Sequence, residues 1–168
     1  MLHDLGLEFR TPTINLFFTA DDFLKYIDNI DYYNSQNLVF LKKEEVDVNY
    51  PVALCGDIRI WFMHYNSEYE AEAKWFQRIR KIDKDNLFII FSDLSKGCTY
   101  EHLRMFDKMN FKHKIVFTGL RYNEIESSVY IEGFEEEGHV GNLISYRGRY
   151  TGKRFYDSFD YVSWLNDE

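Results

Sequence analysis

The sequence is poor in the residues that cross-link or interrupt a chain. Cysteine occurs twice, at Cys55 and Cys98, and proline twice, at Pro12 and Pro51. Two thiols in a chain of 168 residues do not make a disulfide framework. No apolar run approaches the roughly 20 residues that span a bilayer, and the N-terminal stretch MLHDLGLEF does not have the pattern of a signal peptide. These absences predict a cytoplasmic chain with no membrane insertion.

The motifs that hold metals and nucleotides are also missing. The sequence has no C-x-x-C or H-E-x-x-H pattern and its five histidines are scattered, so no metal site is predicted. It contains no G-x-x-x-x-G-K-[ST] loop and no G-x-G-x-x-G turn that opens a helix, which argues against a nucleotide cofactor held in either way. The sequence identifies no particular cofactor and no oligomeric state.

Positive charge is in short supply, because the formal net charge is −8. Nucleic acids and anionic membranes attract basic surfaces, so no nucleic-acid partner is expected. One cationic stretch follows an acidic one near the C-terminus and forms either a self-compensating solvated loop or an anion-binding loop. Its members are Arg147, Arg149, Lys153 and Arg154.

Aromatic residues, in contrast, are abundant. The chain has 15 Phe and 13 Tyr, and 45% of its residues are apolar. Large aromatic side chains dominate the burial of apolar surface in a core. A chain of this length and composition is expected to fold as a single domain over residues 1–168.

The order of apolar runs and amphipathic stretches predicts an α/β protein. Strands are predicted at 14–18, 38–41, 58–63, 87–91 and 115–117, with a further edge strand at 129–131. Helices are predicted at 21–30, 68–82, from Thr99 onward and at 159–166, with Thr19 and Ser67 as N-caps. The β-α-β-α-β series between 58 and 118 favours a three-layer α/β/α fold with a mostly parallel sheet.

The ends of the predicted strands carry the candidate functional residues. In an open parallel sheet, ligands bind beyond the carboxyl ends of the strands. The first predicted catalytic residue is His64, as a general base or acid, and the second is Asp93, which would orient it. The predicted substrate-binding residues at the same edge are Tyr65, Ser67, Thr118 and Arg121.

Each of these residues also has a structural interpretation. His64 can tie a strand end to a loop, Asp93 can act as a turn or cap residue, and Thr118 can likewise act as a capping or turn residue. Cys98 precedes a predicted helix N-terminus, where the helix dipole favours a thiolate, but a cysteine there is more often part of a loop. Cys55 is predicted to pack in the turn before the strand at 58–63.

A family resemblance covers most of the chain, from about residue 7 to its end. The stretch YPVALCGDIRIWFMHYNSEYEAEAKWFQRIRKIDKDNLFIIFSD resembles a bacterial family of unknown function whose members are labelled exopolysaccharide or capsule biosynthesis proteins. The segments MFDKMNFKHKIVFTG, SSVYIEG and FDYVSWLN carry the same resemblance. It implies an α/β layered fold. It also implies an N-terminally shortened chain, because members have an additional strand and turn before the position of Leu5.

Three functions follow as hypotheses. The first is a transferase that acts on a sugar or sugar-linked substrate, with His64 as base, Asp93 as its orienter and Arg121 or the cationic loop as an anion clamp. The second is an esterase-like hydrolase or acyltransferase whose nucleophile is Ser67, Ser92 or Cys98. The third is a non-catalytic component of a polysaccharide-assembly complex.

Overall fold

The computed structural model describes residues 11–148 and 152–166 of the chain. By its internal contacts the chain divides into two compact units, Met1–Asp85 and Asn86–Glu168. Both units contain helices and strands, so the chain mixes α and β structure as predicted. None of the helices in these described ranges has the length and apolarity needed to cross a membrane.

The first unit consists of three helices and a small antiparallel sheet. Its helices are α1 (Ala20–Asp28), α2 (Ile30–Ser35) and α3 (Glu68–Ile79), and its strands are β1 (Leu38–Phe40), β2 (Val52–Cys55) and β3 (Ile58–Trp61). The strand order is β1-β2-β3, with both neighbouring pairs antiparallel. Cys55 lies opposite Ile58 in this register, so only two residues connect β2 to β3. The first of them, Gly56, has a φ of +60°, which a tight hairpin turn requires and glycine adopts without strain.

Aromatic residues form the core of the first unit. Trp75 of α3 lies 5.8 Å from the ring of Tyr26 and 6.4 Å from the ring of Phe62, measured between centroids. Both helix starts that the sequence predicts are confirmed, because the Thr19 hydroxyl accepts the Asp22 N–H and the Ser67 hydroxyl accepts the Glu70 N–H.

The second unit is built on a parallel sheet. Its strands are β4 (Phe88–Ser92), β5 (His113–Thr118) and β6 (Ser128–Tyr130), in the order β4-β5-β6. Helix α4 (Tyr100–Lys108) connects β4 to β5, and a 3-10 helix (Phe155–Ser158) and α5 (Tyr161–Leu165) end the described chain. The register sets Ser92 beside Phe117 and Thr118 beside Tyr130, so the carboxyl ends of all three strands lie at one edge.

Side chains alternate between the two faces of this parallel sheet. On one face, Phe91 of β4 packs against Phe106 of α4, with ring centroids 5.4 Å apart. On the other face, Ile115 and Phe117 belong to a buried cluster with Ile131, Phe134 and Val140. The C-terminal segment packs on that cluster, and the ring of Phe159 meets Phe117 edge-on at 5.7 Å. Both faces of β5 are thus covered along its apolar run at residues 115–117.

Several sequence-based expectations need correction. Residues 14–18 are not a strand; only Phe17 pairs, in an isolated bridge to Trp61. Cys55 is not in a turn but is the last residue of β2, which the sequence did not predict. Strand β3 therefore pairs with β2 in an antiparallel hairpin, and the described residues form two three-stranded sheets. The mostly parallel sheet of a three-layer fold is not confirmed, because short-range hairpin pairing determines the sheet of β3.

The C-terminal elements are shorter than predicted. The expected edge strand at 129–131 is confirmed as β6, one residue earlier. The helix expected at 159–166 is limited to α5, with the 3-10 helix before it. Asp160 caps α5 by accepting the Ser163 N–H at 3.0 Å, so the helix starts after that residue.

Candidate functional site

Asp93 lies where the strands of the second unit end together. It directly follows β4, and its main-chain N–H donates to the Phe117 carbonyl of β5 at 3.1 Å. One carboxylate oxygen accepts the Gly119 N–H at 2.9 Å, and the other accepts the Val140 N–H at 2.7 Å. A single side chain thus holds the loops after β4 and β5 and the distant loop around Val140.

The surroundings of Asp93 change its acidity. Burial raises the pKa of the Asp93 carboxyl above the ordinary 3.8, although the N–H groups of Val140 and Gly119 and the nearby His139 act in the opposite direction. Its hydrogen-bond donors are both main-chain amides rather than cationic side chains. The carboxylate is therefore a stronger base than an exposed aspartate.

Three further titratable side chains lie near Asp93, and together with it they are named the strand-end cluster: Asp93, Cys98, Tyr122 and His139. Burial, followed by the charge of Asp93, raises the pKa of the Cys98 thiol to about 12. Burial, and then the charges of Asp93 and Cys98, raise the pKa of Tyr122. The cluster therefore holds a protonated thiol and a protonated phenol beside one carboxylate at neutral pH.

Gly119 allows the loops of this cluster to approach closely. A Cβ added at Gly119 would lie 2.5 Å from the carbonyl carbon of His139 and 2.7 Å from its oxygen. Both contacts are with main-chain atoms, which cannot rotate away as a flexible side chain can. The absence of a side chain at residue 119 is therefore a condition for the hydrogen bond between Asp93 and Val140.

Thr118 and Arg121 lie in the same unit as Asp93, with different surroundings. Thr118 is fully buried, and its hydroxyl shares a hydrogen bond of 2.9 Å with the Ser128 hydroxyl of β6. Arg121 is exposed, with its guanidinium carbon 3.9 Å from the centroid of the Tyr130 ring. The Tyr130 hydroxyl donates in turn to Glu135. Thr118 serves packing, whereas Arg121 offers a positive charge at the surface.

His64, Tyr65 and Ser67 belong to the first unit. Tyr65 is buried and its hydroxyl accepts a hydrogen bond of 2.8 Å from Arg78 of α3, while Ser67 caps that helix. His64 is exposed in the turn after β3, and no described residue hydrogen-bonds to its side chain. Strand β3 is antiparallel to its neighbour, so the rule for parallel strand ends does not support His64.

The predicted pair of His64 and Asp93 is divided between the two units, so it stays a prediction.

The three nucleophile candidates are Ser67, Ser92 and Cys98. The Ser67 hydroxyl accepts the Glu70 N–H, and the Ser92 hydroxyl accepts the Leu94 N–H. Cys98 is not poised as a thiolate, because its pKa is raised rather than lowered.

The cationic stretch near the C-terminus has internal partners. Arg147 donates to Glu132 at 2.9 Å and to the Ser158 hydroxyl at 3.0 Å. The guanidinium of Arg154 lies over the rings of Tyr146 and Tyr156. Arg149 lies outside the described residues. These contacts favour the self-compensating loop over an anion-binding loop.

The structure adds residues that sequence reasoning missed. Gly119 and the His139–Val140 loop complete the surroundings of Asp93. Gly119 lies 26 positions after Asp93 in the chain, and Val140 lies 47 positions after it. Two glycines, Gly138 and Gly141, flank that loop and were the available signal for it. Within the described ranges, no three His, Cys, Asp or Glu side chains come together as a metal site would require.

The second unit is thus an α/β structure with a carboxylate at the carboxyl edge of a parallel sheet. Comparison with known proteins shows that the chain belongs to the family described as "Domain of unknown function (DUF1919)", whose model matches residues 1–166. An uncharacterized protein of Haemophilus influenzae (strain Rd) is 43% identical over 166 residues. That alignment covers 99% of this chain and 78% of the relative.

Proposed function

We propose that the chain is a transferase of bacterial exopolysaccharide or capsular polysaccharide biosynthesis, which acts on a sugar or sugar-linked substrate. The resemblance of the sequence to proteins labelled in this way supports the substrate class. The observation that carries the chemistry is Asp93, a half-buried carboxylate with a raised pKa at the carboxyl edge of a parallel sheet. Ligands of open parallel sheets bind at that edge.

Asp93 has the properties of a general base for a sugar hydroxyl. A base works best when its pKa lies close to the operating pH, and burial moves Asp93 in that direction. Each of its oxygens accepts one main-chain N–H, which leaves lone pairs for a substrate hydroxyl. Asp93 would accept the hydroxyl proton while the freed oxygen attacks the group that is transferred.

The other residues predicted from the sequence also have roles in this proposal, and the support for these roles differs. Arg121 is a proposed clamp for an anionic leaving group, because its guanidinium is exposed. His64 stays a proposed base in the form of the mechanism in which Asp93 orients it. Tyr65, Ser67 and Thr118 are weaker candidates for substrate contacts, because each hydroxyl already has a protein partner.

The test is a transfer assay on the full chain with nucleoside diphosphate sugars as donors and capsular oligosaccharides as acceptors, followed by mass spectrometry. We expect Asp93→Asn to lower turnover at least about 100-fold, the usual contribution of a general base. Asp57→Asn, a carboxylate of the first unit, is the matched control and should keep full turnover. Unchanged turnover in Asp93→Asn would remove Asp93 from the mechanism, and the same result in His64→Ala would remove His64.

The hydrolase or acyltransferase alternative has less support. Its serine candidates accept main-chain hydrogen bonds, and the high pKa of Cys98 makes the thiol a poor nucleophile at neutral pH. This alternative would be supported if an active-site-directed fluorophosphonate or iodoacetamide probe at low concentration labelled Cys98, Ser67 or Ser92. Absence of labelling would leave the transferase as the enzymatic proposal.

The non-catalytic alternative is favoured by the exposed apolar side chains of the second unit. Leu94, Ile144, Tyr146 and Val162 are each at least half exposed. A contiguous patch of exposed apolar surface is typical of a site that contacts another protein, and these four side chains are the candidates for one. Support for the non-catalytic alternative would increase if the transfer assay gave no product with any donor while the chain co-purified with other polysaccharide-assembly proteins.

A further inference from the structure

A cleft of about 340 Å³ lies in the second unit, between α4 and the segment that joins β5 to β6. Its volume falls at the lower end of the roughly 300–1,000 Å³ that small-molecule sites occupy. Six side chains line it: Tyr100, Arg104, Asp107, Lys108, Glu124 and Ile125. None of them is among the residues that the sequence predicted to bind substrate.

The helical repeat explains how α4 supplies one wall. Tyr100, Arg104 and Lys108 are spaced four residues apart, so they follow one another along one face of the helix. Glu124 comes from the segment after β5, and its carboxylate accepts a hydrogen bond of 2.9 Å from the Tyr100 hydroxyl. This bond joins the two walls at one end of the cleft.

The charges of the cleft balance. Arg104 and Lys108 contribute two positive charges, and Asp107 and Glu124 contribute two negative charges. Although burial acts to raise it, the pKa of Asp107 is held below the ordinary 3.8, chiefly by hydrogen bonds from Ser127, so this carboxylate stays ionised at neutral pH. A balanced set gives no net attraction for an anion or a cation.

Balanced charges instead suit a neutral ligand that is rich in hydroxyl groups. A hydroxyl donates one hydrogen bond and accepts others, whereas a carboxylate only accepts and a guanidinium or ammonium only donates. A row of hydroxyls can therefore use both kinds of side chain in this cleft. Tyr100, with 39% of its surface exposed, adds the face of an aromatic ring against which the C–H groups of a sugar can pack.

The cleft adjoins the strand-end cluster. The Tyr100 ring lies 5.7 Å from the Tyr122 ring, measured between centroids, and burial and then the negative charge of Asp93 raise the pKa of Tyr122. Tyr122 is thus a neighbour of Tyr100, which lines the cleft, and of Asp93. It connects the proposed binding region to the proposed base.

We propose that this cleft binds the ring of a neutral sugar and serves as a subsite beside Asp93. The inference rests on the proposed function for its assignment as part of a transferase site. The geometry supplies the ligand class independently, because it follows from the charge balance and the aromatic ring.

The experiment is a ¹H–¹⁵N NMR titration of the full chain with methyl glucopyranoside, methyl galactopyranoside and methyl N-acetylglucosaminide, and separately with inorganic phosphate. At least one glycoside is expected to shift the amides of residues 100–108 and 122–127 at millimolar concentration, whereas phosphate should leave them in place. Phosphate shifts without glycoside shifts would overturn the proposal, and so would unmoved amides in every titration.

Two variants make the assignment specific. Glu124→Gln removes a lining charge and should weaken glycoside binding about tenfold, since it loses a hydrogen bond to a charged acceptor. Glu126→Gln makes the same chemical change at an exposed neighbour that does not line the cleft, and it should bind as the parent does. Equal binding by both variants would overturn the proposal, provided that the dispersed amide spectrum shows both to be folded.

The outcomes separate this inference from the transferase proposal. Glycoside shifts in a chain that shows no transfer would leave the subsite standing and remove the transferase. Transfer that depends on Asp93, with binding and turnover unaffected by Glu124→Gln, would remove the subsite alone. In Asp93→Asn, glycoside shifts in the cleft are expected to persist, because Asp93 does not line it.

Discussion

The two sheets of this protein bring their loops together in different ways. In the antiparallel sheet of the first unit, neighbouring strands end at opposite edges, so the turn after β2 and the loop after β3 lie apart. In the parallel sheet of the second unit, β4, β5 and β6 end at one edge. Loops that follow different strands therefore meet at one edge in the described part of the second unit, and the candidate site lies there.

The difference extends to the carboxylates of the two units. Asp57, in the hairpin turn of the first unit, accepts hydrogen bonds from Lys25 at 2.7 Å and from the Tyr33 hydroxyl at 2.8 Å. Asp93 accepts only main-chain N–H groups in a half-buried place. Lys25 is thus a cationic partner that stabilises the charge of Asp57. The hydrogen-bond donors to Asp93 are neutral main-chain amides, so its carboxylate stays the stronger base.

The largest expected effect tests the close approach of loops in the second unit. Gly119→Ala should destabilise the protein by about 3 kcal/mol, because the new methyl group would overlap the main chain of His139. Urea unfolding followed by circular dichroism measures the loss. Gly97→Ala is the matched control: it has open space around it but a φ of +78°, so it should cost only about 1 kcal/mol. Equal losses would show that the loop does not pack on Gly119.

A smaller effect is expected where a polar group is satisfied by a residue three positions away, as at the start of α3 in the first unit. Ser67→Ala removes the acceptor for the Glu70 N–H at the start of α3 and should cost about 1 kcal/mol. Ser67→Asp keeps an acceptor at the same position and should restore most of the stability. A loss in Ser67→Ala as large as that in Gly119→Ala would contradict the view that a helix cap contributes less than the close packing of loops at Gly119.

Local features were predictable from the sequence, and non-local pairing was not. The caps Thr19 and Ser67 depend on residues three positions away, and both predictions are confirmed. Strands β4 and β5 were predicted because each contains a continuous apolar run. Strand β2 was missed, and with it the hairpin that assigns β3 to a separate sheet, because Val52–Cys55 is short and follows Pro51.

The candidate site shows the same limit. Asp93 was predicted because a rule links strand ends to ligands, and it lies at such an end. The same rule made His64 the first choice for the base, although β3 has no parallel neighbour among the described strands. The hydrogen-bond partners of Asp93 could not be predicted, because Val140 is 47 positions away and no sequence periodicity connects it to Asp93. The sequence therefore indicated a residue but not the environment that distinguishes it.

The pH dependence of stability makes the sharpest distinction between the two carboxylates. The folded-state pKa of Asp93 is raised by burial above the ordinary 3.8, so its contribution to stability is complete below that value. The contribution is lost as the pH rises through the raised pKa. The folded-state pKa of Asp57 is lowered by its hydrogen bonds to Lys25 and Tyr33. Its contribution is present above 3.8 and is lost as the pH falls through the lowered pKa.

Carboxyl ¹³C titration by NMR should therefore place Asp93 above an ordinary aspartate and Asp57 below it. In urea unfolding, the stability of the parent relative to Asp93→Asn should fall as the pH rises above about 4, while that relative to Asp57→Asn should fall as the pH drops below about 4. The change in stability relative to Asp57→Asn is expected to be the smaller of the two, because Asp57 and Lys25 are both largely exposed and water screens their attraction. Parallel slopes in the two variants would mean that the carboxylates share one kind of environment, and the argument that Asp93 is the base of this protein would lose its physical ground.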